Sequence, residues 1–144
     1  MRPNQHWHLF CLATTWWTLF FIVGLPSDYF QTTPVWKIVV FGEILPAVAL
    51  IYYAWRRCAR AESIAQVWQR AGWIGFYMTV PLFIYDYLYL AVHQELGWSF
   101  LISHWYLSAF YIIPWLLLPA IALMVARMKK AAQPNDGDNG TLTN

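Results

Sequence analysis

The sequence predicts an all-α integral membrane protein, a bundle of four transmembrane helices with both termini on the cytoplasmic side. Three observations lead there. Of 144 residues, 60% are hydrophobic and only 11% charged, whereas a soluble domain is closer to half apolar and a quarter charged. Trp, Tyr and Phe together reach 19%, an excess that suits amphipathic rings anchoring helices at a membrane interface. The apolar residues also fall into four long runs separated by polar or basic segments, and four spans of about 20 residues each would use most of the chain.

The first run covers about residues 7–24 and ends at Leu25-Pro26-Ser27-Asp28. It carries Trp16-Trp17 at its middle and closes without a small-x-small cleavage site, so it is expected to stay as a helix and not to be removed as a signal peptide. The second run, about 36–55, is stopped by Arg56-Arg57-Cys58-Ala59-Arg60. The third, about 71–92, follows Arg70, and the fourth, about 101–126, ends at Arg127-Met128-Lys129-Lys130. Residues 1–130 thus read as one transmembrane domain. Residues 131–144, with Pro, Gly, Asn and Asp and no apolar pattern, are expected to form a disordered cytoplasmic tail.

Basic residues set the expected orientation. Arg2, the four arginines at 56, 57, 60 and 70, and Arg127, Lys129 and Lys130 would share one side of a four-span bundle, which leaves only Lys37 of the nine Lys and Arg residues opposite. By the positive-inside rule that side is cytoplasmic. The membrane is either a bacterial inner membrane or that of the endoplasmic reticulum. Pro46, Pro81, Pro114 and Pro119 lie inside the runs. Each removes a backbone hydrogen bond and can kink its helix, although proline is in any case commoner in membrane helices.

Two acids lie where only a specific role would keep them. Glu43 falls in the second run and Asp86 near the end of the third. At 1.5 Å rise per residue both sit roughly 9–10 Å below the outer boundary. Asp28 follows the first run at the rim of the same side. A carboxylate in hydrocarbon costs several kcal/mol, so such residues face the bundle interior, find a partner or take up a proton. Glu43 and Asp86 are expected to share one site, with at least one of them neutral. The plainer reading is that a neutral acid bonds a Tyr or Trp across helices as glue, and Tyr85, Tyr87 and Tyr89 surround Asp86.

Other chemistry finds little support. His6 and His8 lack a third ligand, so no metal site is expected, and the two cysteines, Cys11 and Cys58, form no C-x-x-C pair. His93 and His104 flank the outer loop. No phosphate-cradling glycine loop, Ser-His-Asp pattern or nucleic-acid-binding face is present, and no cofactor is expected. The basic loop serves topology first and lipid binding second.

The stretches around the acids resemble the EXPERA family, the four-helix membrane fold shared by the emopamil-binding sterol isomerase and the sigma-2 receptor. The resemblance rests on WKIVVFGEILP from Trp36 to Pro46, on Tyr85-Asp86-Tyr87-Leu88-Tyr89, and on Pro114-Trp115-Leu116-Leu117-Leu118-Pro119. It implies that Glu43 is the ligand-facing glutamate of helix two, that Trp115 is a cavity tryptophan, and that Asp28 stands where a helix-one aspartate meets a ligand amine. It also implies a homodimer. Residues 9–24 hold no histidine or glutamate where the isomerase keeps its proton-shuttle pair, and Ile112 stands at its helix-four asparagine.

Three functions follow as expectations. The first is a membrane-embedded binding or carrier protein for a sterol-like, isoprenoid or amphiphilic amine ligand. Asp28, Glu43 and Asp86, with Tyr85, Tyr111 and Trp115, would line its pocket; a cation over an aromatic face gains further from the ring quadrupole. The second is an isomerase or cyclase acting on a carbon-carbon double bond of a lipid, with Glu43 and Asp86 as its acid and base. The third is an accessory membrane subunit whose acids are structural.

Overall fold

The computed structural model describes residues 3–23 and 34–132, and among these the chain is helical with no strand. Four long helices follow one another: α1 (Pro3–Val23), α2 (Val35–Ala59), α3 (Ile64–His93) and α4 (Trp105–Ala131). Three of them, α2, α3 and α4, with 25, 30 and 27 residues, are long and apolar enough to cross a membrane. The 21 residues of α1 are not in that set. Its first two turns contain Asn4, Gln5, His6 and His8, and Thr14, Thr15 and Thr18 interrupt the apolar residues that follow. Asp28 and residues 133–144, the bulk of the expected tail, lie outside the described residues.

Element boundaries differ from the sequence reading in physically intelligible ways. The loop after α2 shrinks to a few residues because Ser63 caps α3, its hydroxyl accepting from the Gln66 amide at 3.3 Å. An N-cap of this kind satisfies one of the four amides that a helix start leaves without partners. The α3–α4 connection runs through a 3-10 turn (Gly97–Ser99) and a short helix (Phe100–Ser103), and α4 proper starts only at Trp105. Gly97 there has φ +54°, a left-handed backbone that glycine adopts without a side-chain penalty.

The packing has α3 at its hub. α4 lies along both α3 and α2, and α1 packs chiefly on α3. The buried stripe of α4 runs Phe110, Pro114, Leu118, Ile121, Val125, a helical period. Opposite it, Gly75 of α3 lets the helices close: a Cβ there would meet Leu118 Cδ1 at 3.1 Å, the use membrane helices make of small residues. At the basic end, Leu9, Leu50, Ala54, Cys58 and Val67 belong to one buried cluster; at the other end Leu90, Phe100, Tyr106 and Leu107 form another. The outward faces remain apolar: Phe41, Ile44, Leu45 and Val48 of α2 and Ile112, Leu116 and Met124 of α4 are all exposed. Large uncovered apolar faces of this kind suit lipid and not water.

Both acids of the sequence reading sit at irregular backbone. Val39–Ile44 of α2 is a π-helical turn that contains Glu43, and Tyr87–His93 of α3 is another, starting directly after Asp86. π-Bulges inside α-helices collect at functional sites. In α2, Pro46 supplies no amide for the preceding turn, and it follows Glu43 by three residues.

Candidate functional site

An apolar cavity of about 200 Å³ opens among the helices. Pro46, Ala49, Leu50 and Tyr53 of α2 form one wall, at the i, i+3, i+4, i+7 spacing of a single helix face. Leu12 and Trp16 of α1 face them, and Met78 of α3 and Phe110 of α4 complete the lining. All four helices therefore contribute. The space exists because α1 is held by α3 and packs little on α2. The Tyr53 hydroxyl, one of the few polar groups near it, accepts from Arg57 Nε at 3.2 Å. The engineered apolar cavities of roughly 150 Å³ that stay dry and bind small apolar molecules set the scale for such a space.

Glu43 precedes the cavity-wall residue Pro46 by three residues, near the end of the π-helical turn, and is not itself among the residues that line the cavity. Its side chain is 8% exposed. Among the described residues its Oε2 has no hydrogen-bond partner. A buried acceptor in that state costs about 1–3 kcal/mol.

Asp86 is handled in the opposite way. It is 3% exposed, and both of its oxygens are engaged. Trp17 Nε1 donates to Oδ1 at 2.8 Å and the Tyr111 hydroxyl donates to Oδ2 at 2.5 Å. One carboxyl group thereby ties α1, α3 and α4 together. Around it, Tyr85 shares a hydrogen bond with Thr14 at 2.9 Å, and its ring lies 5.1 Å from that of Trp17. The Tyr111 ring meets Phe83 edge-on at 5.4 Å.

Of the residues selected from the sequence, Asp86, Tyr85 and Tyr111 come together as a polar knot joining three helices, and Glu43 takes no part in the knot's hydrogen bonds. Trp115 does not line the cavity. It is 50% exposed, and its ring sits beside Gly75 on the α3–α4 seam. The phase of α4 explains this: the buried positions are Phe110, Pro114 and Leu118, so Trp115 turns outward and Phe110 takes the cavity wall. His104 is fully buried with its Nδ1 3.0 Å from Ser103 Oγ, and His93 is exposed against Tyr89. His6 packs edge-on against Trp73 at 4.5 Å, and among the described residues no group of His, Cys, Asp and Glu could hold a metal.

Sequence reasoning missed the cavity walls themselves, Leu12, Trp16, Leu50, Tyr53, Met78 and Phe110. Trp16-Trp17 held a usable signal. Adjacent helix positions point about 100° apart, so one indole reaches the cavity and the other reaches Asp86. No family model, curated protein or solved structure matches the chain.

Proposed function

We infer that this is a four-span membrane protein, its termini cytoplasmic, that binds or carries an apolar or amphiphilic ligand in the cavity among its helices. The ligand class that fits is sterol-like, isoprenoid or an amphiphilic amine, with Glu43 taking the hydroxyl or ammonium group. The observation that carries this reading is the buried Glu43, whose Oε2 has no hydrogen-bond partner among the described residues, one turn before Pro46 of the apolar cavity wall. Pockets that are mostly apolar with a few convergent polar groups are the usual small-molecule sites. The sequence resemblance to EXPERA proteins leads to the same glutamate.

Binding is favoured over turnover. An isomerase would need Glu43 and Asp86 as an acid and a base on one substrate, and Asp86 gives both oxygens to Trp17 and Tyr111. The accessory-subunit reading accounts for Asp86 as interhelical glue, but it leaves Glu43 and the cavity unused.

The test is binding of a radiolabelled tertiary-amine amphiphile to the protein in lipid nanodiscs. Loss of a hydrogen bond to a charged group is worth about 1.5–3 kcal/mol, so Glu43→Gln should weaken binding on the order of tenfold to a hundredfold. Equal affinity in wild type and Glu43→Gln would remove Glu43 from the site.

A further inference from the structure

We propose that the basic end of the bundle holds a second site, a cleft between α1, α2 and α3 that binds a phosphate group through Arg57 and Arg70. The proposal is independent of what Glu43 binds. A cleft of about 40 Å³ lies there, lined by Gln5, Leu9, Arg57, Arg70 and Ile74. One water needs roughly 10–15 Å³ by the same kind of measure, so the space takes a group the size of a phosphate.

The two guanidiniums are placed and not merely present. Arg70 Nη1 donates to the Arg57 carbonyl at 2.8 Å, and Arg57 Nε donates to the Tyr53 hydroxyl at 3.2 Å. Arg57 also lies over the Tyr53 ring, 5.6 Å from its centroid. Both arginines are half-buried, whereas Arg56 and Arg60 of the same segment are exposed. These bonds engage one nitrogen of each group, and a guanidinium carries five N–H donors in a planar fork that suits phosphate oxygens. No carboxylate among the described residues forms an ion pair with either arginine. Two half-buried cations that no described carboxylate pairs with form a receptor for an anion.

Tyr53 connects this cleft to the larger cavity. Its ring walls the cavity while its hydroxyl accepts from Arg57, one turn further along α2. A phosphate held by Arg57 and Arg70 could therefore belong to an amphiphile whose chain passes Tyr53 toward Leu50 and Met78, or to free inorganic phosphate.

Dodecyl phosphate and inorganic phosphate, titrated separately by isothermal calorimetry into the full-length protein in neutral-detergent micelles, test the proposal. Binding of either, weakened on the order of tenfold in Arg70→Gln and unchanged in the exposed control Arg56→Gln, supports the site. Tighter binding of dodecyl phosphate assigns it to a lipid headgroup, and equal binding of the two assigns it to free phosphate. Arg70→Lys keeps the charge but not the fork, and it should bind more weakly than wild type while its circular dichroism and melting remain native. The proposal is overturned if neither compound binds the wild type, or if Arg56→Gln loses as much affinity as Arg70→Gln.

Discussion

At the scale of single residues, the two buried carboxyl groups show how burial and partners divide roles between chemically similar side chains. Asp86 is satisfied on both oxygens by donors from two other helices, so its removal should be felt as stability. Interhelical hydrogen bonds in bilayers contribute about 0.6 kcal/mol on average and at most about 1.7. Leaving a buried donor unsatisfied costs about 1–3 kcal/mol. Asp86→Ala, which strands both the Trp17 indole and the Tyr111 hydroxyl, should therefore destabilise the bundle by about 1–3 kcal/mol, and Asp86→Asn by less. Unfolding in mixed micelles, followed by tryptophan fluorescence, measures both. Equal stability of Asp86→Ala and wild type would mean that the knot does not hold the helices. Glu43→Gln should leave stability nearly unchanged, because among the described residues Oε2 has no partner to lose.

Much of this was legible in the sequence, though unevenly. Acids inside apolar runs mark themselves, since the cost of placing them there demands a reason, and both Glu43 and Asp86 are buried. Which of them is paired was not legible. That depends on the relative rotation of α1 and α4, which brings Trp17 and Tyr111 to Asp86, and no local pattern encodes it. The placing of the aromatic rings depends on the same rotation. Trp115 and Phe110 are equally apolar in a run with little polar contrast, so only the packed phase of α4 tells the outward ring from the cavity ring.

At the scale of elements, the helices themselves were plain from the apolar runs, while their ends and irregularities were not. The Ser63 cap lengthens α3 backward through residues that read as a basic loop, and the π-turns at Val39–Ile44 and Tyr87–His93 leave no composition signature. The α3–α4 seam yields a sharp prediction. Gly75 faces Leu118 at a separation that leaves an added methyl group in tight contact, and the far end of a leucine can shift by a few tenths of an ångström. Gly75→Ala should therefore be tolerated. Gly75→Ile cannot be accommodated without moving the helices, and overpacking of this kind costs about 1–3 kcal/mol. The melting temperatures of the two variants in detergent decide it; a Gly75→Ile protein as stable as wild type would show that the seam is loose.

At the scale of the whole molecule, the arrangement is a bundle whose outer faces suit lipid, whose ends differ in charge, and whose interior is not filled. The apolar cavity exists because α1 leans on α3 and leaves α2 at a distance, so it is a property of the assembly and not of any one helix. Its walls are apolar, and Tyr53 of the lining accepts a hydrogen bond from Arg57. The central claim is that this cavity holds a molecule. Ala49 lines the cavity and is exposed at its rim, so Ala49→Trp should fill the space without disturbing the core. Mass spectrometry of small molecules extracted from the purified protein is the most direct test. The account predicts one apolar or amphiphilic compound retained in near-stoichiometric amount by wild type and absent from a folded Ala49→Trp protein. The same compounds recovered at the same level from both would contradict it.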